Sequence, residues 1–174
     1  MSREGRVAVC VALALSLGAC GYSLVRYGGG LGDVHRVAVH GLVNDSYEPG
    51  VEAMVSDALV REFRQRGALR LVDDPNAADL VIHGSVKKVE VRPESFDSVL
   101  FALEYQVHME LGIVIERRDG TPVVIDPNVL KESELYLSSP DVEVTRTNRE
   151  EALRRLAGLL AGRIHDALYE RIAP

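Results

Sequence analysis

The sequence has 174 residues, of which 47% are hydrophobic and 26% are charged, a composition that favours one domain with a packed core and argues against a disordered chain. Its formal net charge is −6, and it has no tryptophan and no basic stripe with interleaved aromatic residues, which argues against a nucleic-acid-binding protein.

The N-terminus has the parts of an export signal. Arg3 and Arg6 form a short positive region, and residues 7–17 are almost wholly apolar. That apolar run is too short for a helix that crosses about 30 Å of hydrocarbon. Leu17-Gly18-Ala19-Cys20 follows and resembles the lipobox of bacterial lipoproteins. We therefore expect residues 1–19 to be a signal peptide, whose loss changes the formal charge to −7.

Cys20 is the expected lipidation site. Its thiol takes a diacylglycerol thioether, and the small residues before it give the signal peptidase access to the bond. Acyl chains contribute about 0.8 kcal/mol per buried CH₂, so two or three of them hold a protein stably on a membrane. Gly21 stands where Asp commonly favours retention in the inner membrane, so we expect transfer to the outer membrane.

Residues 20–33 are interpreted as a lipidated tether, because Gly28 to Gly32 is a flexible stretch. Asp33 takes the last glycine position of a GxGxxG loop, which argues against a phosphate site. Cys10 is removed with the expected signal peptide, so Cys20 has no second cysteine with which to form a disulfide or a metal site. The five histidines lack zinc-site spacing, and we expect no cofactor apart from the covalent lipid.

The domain, residues 34–174, is expected to begin with a strand over 34–42 and a helix from Pro49 to Gly67, where apolar residues recur with helical spacing. Leu69 and Leu71 then start an extended segment. A strand over 80–91 shifts its apolar phase near Lys87-Lys88, which predicts a bulge.

The next strand gives the strongest pattern. Pro93 is expected to end the strand before it, and residues 99–115 then alternate without a break. Such a strand would reach about 56 Å, so one end is expected to project. Asp119-Gly120 predicts a hairpin turn, and residues 123–137 return as a strand interrupted by Pro127.

Thr147 and Glu150 form a capping-box pattern before a final helix. The order β-α-β-β-β-α predicts an α+β fold with two helices on one face of a mostly antiparallel, roughly four-stranded sheet. No GxSxG elbow is present, and we expect no enzyme.

Together these features resemble the LptE family of lipopolysaccharide-assembly lipoproteins. The resemblance rests on Cys20-Gly21-Tyr22, on the turns and helix ends of the first half of the domain, and on four later features in family order: Pro93, Glu104-Tyr105-Gln106, Asp119-Gly120 and Asn148. It covers nearly all of the mature chain.

The resemblance implies an outer-membrane lipoprotein that assembles with the LptD β-barrel, plugs its lumen and contacts lipopolysaccharide. It implies a lipopolysaccharide contact at Arg146, just before Asn148. A second basic position of the family falls at Asp97, which is a departure, and Arg92 is an alternative. Lys87 and Lys88 are further candidates, because cations with free N–H groups bind phosphate. Each of these cations could equally be ordinary surface charge.

Other functions remain open at this point. The stretch from Val37 to Gly84 also fits a CsgG-like secretion subunit or an activator of a cell-wall synthase. A small envelope hydrolase would require a nucleophile and a base in contact within a pocket.

Overall fold

The fold is taken from a computed structural model that describes residues 33–96, 98 and 101–172. The expected signal peptide, Cys20 and all of the tether except Asp33 lie outside the described residues. The elements in chain order are β1 (Arg36–Val39), β2 (Val43–Asn44), α1 (Val51–Arg66), β3 (Arg70–Leu71), β4 (Leu80–Phe96), β5 (Ala102–Arg117), β6 (Lys131–Leu137) and α2 (Val142–Ile172).

Helix α1 lies where its apolar spacing predicts it. Its apolar stripe is buried: Val51, Val55, Ala58, Leu59 and Phe63. The helix ends because Gly67 adopts φ 65°, a left-handed conformation that glycine takes without a steric penalty. The Gly67 N–H then donates to the carbonyl of Phe63 at 3.2 Å.

The strands form one mixed sheet in the order β3-β1-β4-β5-β6, and β2 also pairs with β4 beyond the end of β1. β1 is parallel to β3 and β4, whereas β4–β5 and β5–β6 are antiparallel. The prediction of a four-stranded, mostly antiparallel sheet is therefore wrong for the N-terminal strands. The physical reason is that α1 returns the chain to the end of the sheet from which β1 started, which makes the next strand parallel. The α+β class with two helices is confirmed.

Strands β4 and β5 form a long hairpin with the predicted bulge. Val86 pairs with Leu111 and Lys88 pairs with Glu110, so Lys87 is the extra residue. The prediction that Pro93 ends the strand is wrong, because β4 continues to Phe96. Beyond Val86 no described strand pairs with the outer side of β4, and proline is tolerated on such an edge.

The return from β5 differs from the prediction in one segment. The Asp119-Gly120 turn is confirmed, with Gly120 at φ 82°. Residues 123–125 are not a strand, and Pro127–Leu130 is a short 3-10 turn that Asp126 caps by accepting the Asn128 N–H at 2.8 Å. Pro127 has no N–H to donate to a neighbouring strand, and Asp126 binds the local backbone instead. Only Lys131–Leu137 therefore joins the sheet.

Helix α2 begins earlier than predicted. Asp141 accepts the Glu143 N–H at 2.9 Å, while the Thr147 hydroxyl donates to the Glu143 carbonyl at 2.9 Å inside the helix. The capping-box prediction is therefore wrong. The two helices and the odd-numbered side chains of β5 share one core, in which Phe63, Leu156, Leu160 and Ile164 are almost fully buried.

Candidate binding surfaces

One end of the β4–β5 hairpin exposes apolar side chains, and we call it the hairpin end. Its exposed residues are Phe96, Phe101, Leu103 and Leu137, with exposed fractions from 49% to 71%. Strands rise ~3.3 Å per residue and helices only ~1.5 Å, so the 16 residues of β5 extend about twice as far as the 16 residues of α1. The hairpin end therefore lies beyond the shelter of α1.

A groove of about 440 Å³ adjoins the hairpin end. Its lining is mainly apolar with three hydroxyl-bearing residues: Phe101, Ala102, Leu103, Tyr105, Ser138, Ser139 and Pro140. The Tyr105 ring stacks on Tyr136 with centroids 5.4 Å apart, which fixes one wall. Apolar patches of this kind commonly mark contact sites for proteins or lipids. Sequence alternation placed Phe101 and Leu103 on the core face. The length of the strand predicted that one end projects, but not which end.

Three of the predicted cations lie close together on the sheet face opposite the helices. Lys88 and Arg92 both pair with Glu90, each at 2.7 Å. Lys87, on the bulge, pairs with Asp45 at 2.8 Å. The Lys88 hydrogen bond is the largest cause of the lowered pKa of Glu90, and the Lys87 hydrogen bond is the largest cause of the lowered pKa of Asp45. An arriving phosphate would therefore compete with carboxylates for these cations.

Arg146 lies on the first turns of α2, in the helical layer, and the fold does not bring it to the other three cations. It pairs with Glu143 at 2.9 Å and lies 3.9 Å from Glu150, and its side chain is 63% exposed. It borders a second groove of about 440 Å³ between the N-terminal ends of the two helices. Arg149 and Glu48 form an ion pair in that groove.

The outer edge of β6 carries contacts that sequence reasoning missed. The Asn148 amide donates to the Leu137 carbonyl at 2.9 Å, and the guanidinium groups of Arg155 and Arg163 donate to the carbonyls of Leu135 and Lys131. Arg155 and Arg163 also form ion pairs with Glu134 and Glu132. The sequence does not reveal these contacts, because the helix and strand that carry them are about 20 to 30 positions apart.

Asp79 joins β1 to the turn after β5. Its carboxylate accepts the backbone N–H groups of His35 and Arg36, the Arg36 guanidinium at 2.9 Å and the Arg118 guanidinium at 3.1 Å. The Arg36 hydrogen bond is the largest cause of its low pKa of about 2. Arg118, after the end of β5, thus binds the same carboxylate as the first strand of the domain.

Two kinds of site are absent from the part of the chain that the structure describes. No group of three or more His, Cys, Asp or Glu side chains there could hold a metal ion. Neither of the two helices is long and apolar enough to cross a membrane. Asp97, the family's second basic position, lies outside the described residues.

One comparison with known proteins identifies a family. The model of the lipopolysaccharide-assembly family LptE matches residues 34–168, well over half of the chain. A search of curated protein sequences gave no match.

Two solved structures of lipoproteins share the fold. The rare lipoprotein B from Shewanella oneidensis superposes with a TM-score of 0.54 at 14% identity, over 78% of this chain and 95% of that one. The lipoprotein B from Nitrosomonas europaea gives a TM-score of 0.53 at 14% identity, over 86% and 88% of the two chains. At this level of identity the likeness concerns the fold alone.

Proposed function

We propose a function on the basis of the family, because the chain belongs to the lipopolysaccharide-assembly family LptE. We infer that it is the lipid-anchored subunit that assembles with an LptD-like outer-membrane β-barrel and plugs its lumen. In this role it helps to deliver lipopolysaccharide to the outer leaflet. The single observation that carries the proposal is the family match over residues 34–168.

The shape of the domain supports a role inside another protein. The hairpin end exposes the apolar side chains of Phe101 and Leu103 beside one groove, and no charged side chain lines that groove. Contact surfaces combine an apolar centre with a polar rim, and the hydroxyl groups of Ser138 and Ser139 supply such a rim. A barrel lumen would remove this surface from water.

The anchor and the domain boundaries are part of the same proposal. Residues 1–19 are removed, Cys20 carries the lipid, and residues 20–33 connect it to the domain. The first described residue, Asp33, pairs with Arg117 at 3.2 Å, near the Asp119-Gly120 turn and at the far end of β5 from Leu103. The hairpin end is thus the part of the domain farthest along β5 from Asp33, where the described chain begins, which suits insertion into a lumen.

Lipopolysaccharide contact is assigned to Arg146, with Arg92, Lys87 and Lys88 as a second group. All four side chains are about half exposed or more and carry donors for phosphate. Because each is paired with a carboxylate, binding exchanges one anion for another. The affinity should then fall as salt concentration rises.

The test is affinity capture from the native host's outer membrane in mild detergent. We expect a large β-barrel protein to co-purify in roughly equal amount with the tagged chain. Leu103→Asp at the hairpin end should reduce that recovery, whereas Arg154→Ala, on the polar face of α2, should not. Recovery of the folded chain without any barrel would contradict the proposal.

The anchor is tested separately. Cys20→Ala should leave the fold unchanged and release the protein from membranes, because the acyl chains would be absent. Tight membrane association of this variant would contradict lipidation at Cys20 without affecting the barrel assignment.

A further inference from the structure

The sheet face opposite the helices has two halves of different character. Toward the hairpin end it carries charged side chains that pair with one another: Lys88, Glu90, Arg92, Glu110 and Lys131. Toward Asp33 it carries Val43, Val81 and Val114, on the neighbouring strands β2, β4 and β5. Val43 is 62% exposed and Val114 is 43% exposed. We call these three residues the valine patch.

One carboxylate beside the valine patch differs from the others on its strand. On this face β5 carries Glu104, Glu110 and Glu116. Glu104 accepts the Ser95 hydroxyl at 2.9 Å, and Glu110 pairs with Lys131 at 3.2 Å. Glu116, two positions after Val114, has no ion pair within the part of the chain that the structure describes. An apolar surface and an unpaired carboxylate therefore lie side by side.

The chain enters the domain at this same end. Asp33 pairs at 3.2 Å with Arg117, the last residue of β5. Residues 28–32 before it include four glycines, whereas residues 22–27 read Tyr-Ser-Leu-Val-Arg-Tyr, a composition that favours extended structure and has little in common with a flexible linker. Arg26 is the only cation in residues 20–33.

We propose that residues 22–27 lie extended across the valine patch, with Leu24 against Val114 and Arg26 paired with Glu116. Side chains two positions apart share one face of an extended segment, at a spacing of about 6.6 Å. Leu24 and Arg26 have this spacing, and so do Val114 and Glu116, so both contacts form together. The pairing gives the one cation of the tether to the one carboxylate of this face of β5 that lacks a partner.

Tyr22 extends the same match by two positions. It reaches the level of Gly112, which presents no side chain of its own and is covered by Lys87, since a Cβ at Gly112 would lie 2.7 Å from that side chain. A tyrosine ring packs well on a lysine stem and attracts its ammonium group.

The direction and the length of the connecting chain also agree. From Leu24 to Arg26 the segment runs toward the end of β5 at which Asp33 lies. Tyr27 and residues 28–32 then connect it to Asp33, and six residues span up to about 20 Å. This is enough to pass around the end of the sheet, where glycines allow a sharp turn. A link this short keeps the segment at an effective concentration of about millimolar, so a few contacts suffice.

The consequence concerns the anchor, and it rests on the proposed lipidation of Cys20. A free tether of 13 residues would let the domain move up to about 43 Å from its lipid. With residues 22–27 docked, only Gly21 separates Cys20 from the sheet. The lipid then lies beside the valine patch, and the sheet keeps one orientation to the membrane surface.

The test uses the full lipidated chain in detergent and a short bis-maleimide crosslinker. Cys10 is removed and the sulfur of Cys20 is acylated, so introduced thiols alone react. His83 lies beside Val114 in the sheet, and His108 lies on the same face about 20 Å farther along β5. Ser23→Cys should therefore crosslink with His83→Cys at least about tenfold faster than with His108→Cys.

Further variants examine the two contacts. Leu24→Asp should slow the crosslink to His83→Cys about tenfold, whereas Val25→Asp, on the side of the segment that faces water, should not. Arg26→Glu alone and Glu116→Arg alone should each slow it, and the two together should restore the rate. Restoration by the charge exchange would not occur if the single variants acted by misfolding.

Equal crosslinking at the two histidine positions would show a free tether and overturn the proposal, as would the absence of any crosslink. Crosslinks that join two chains would overturn it as well. The measurement needs no barrel, so failure to recover a barrel counts against the proposed function alone. The intact mass of the same sample reports the acyl chains on Cys20, which separates a failure of lipidation from a failure of docking.

Discussion

A Cβ atom placed on Gly84 would lie 2.0 Å from the carbonyl oxygen of Gly112, so β4 and β5 approach at this point more closely than any side chain allows. Gly84 also has φ 154°, in the region that L-residues rarely adopt. Both the clash and the positive φ require glycine at position 84. Gly112 differs, because a Cβ there would meet only the flexible Lys87 side chain, at 2.7 Å.

Gly84→Ala should therefore lower the free energy of unfolding by about 2–4 kcal/mol, from backbone strain and overpacking together. Gly112→Ala should lower it by no more than about 1 kcal/mol, since Lys87 moves aside and loses only an exposed ion pair. Urea unfolding followed by circular dichroism measures both. Equal effects would show that the strands can separate here without penalty.

Asp79→Asn should lower stability at neutral pH by about 1–3 kcal/mol, because it removes the charged acceptor shared by His35, Arg36 and Arg118. The pKa of Asp79 is lowered from 3.8 to about 2, so the unfolded chain binds this proton more readily. The stability that Asp79 supplies is present above its ordinary pKa and is lost as pH falls from about 4 toward 2.

This loss should be smaller in the Asp79→Asn variant, whereas Asp57→Asn, at an exposed position on α1, should keep it. Unfolding curves at pH values between 5 and 2 provide the measurement. An unchanged acid profile in Asp79→Asn would remove the carboxylate from this role.

His165 should make the protein less stable in mild acid. Its ring is 2% exposed and lies against Phe63 at a centroid distance of 5.2 Å, and burial is the largest cause of its lowered pKa. The unfolded chain then takes up the proton first, so stability falls as pH drops below the ordinary value of 6.5. The slope should reach roughly 1.4 kcal/mol per pH unit at most.

His165→Phe should remove most of this slope between pH 7 and pH 5, and His40→Gln, at an exposed position, should retain it. Thermal unfolding at closely spaced pH values would show the difference. If the slope survives in His165→Phe, another group sets the acid sensitivity.

Removing the α2 side chains that bind the outer edge of β6 should create an association site at that edge. A variant with Asn148→Ala, Arg155→Ala and Arg163→Ala would leave three outward carbonyls without their donors. We expect it to form larger species through this edge, since free strand edges pair with one another. Arg154→Ala is the matched control, because its partner Glu150 lies on the same helix. Light scattering distinguishes the two variants.

Arg146→Asp should weaken lipopolysaccharide binding more than barrel binding, because it reverses a charge that is 63% exposed at the end of the helical layer. Binding to purified lipopolysaccharide at two salt concentrations, beside capture of the barrel, measures both interactions. Arg154→Asp provides a control of equal charge change on the same helix. Equal lipopolysaccharide affinity in Arg146→Asp and the wild type would remove Arg146 from the site.

The sequence by itself determined the features that depend on neighbouring residues. Helical spacing placed α1, the glycine at 67 ended it, the phase shift marked the bulge at Lys87, and Asp119-Gly120 marked the turn. Ordered motifs along the chain indicated the family, which the match over residues 34–168 confirmed. Each of these signals lies within a few positions of the structure that it specifies.

Tertiary structure alone decided the features that depend on distant residues. The two-residue strand β2 has no periodicity to detect, and it forms because β4, which follows about 40 residues later, pairs with it. The extended segment predicted at Leu69 and Leu71 becomes β3 because α1 carries the chain back beside β1. The same physics brought Arg155 and Arg163 of α2 to the outer edge of β6. An edge is blocked only by a group that packing brings to it, and local sequence does not encode which group that is.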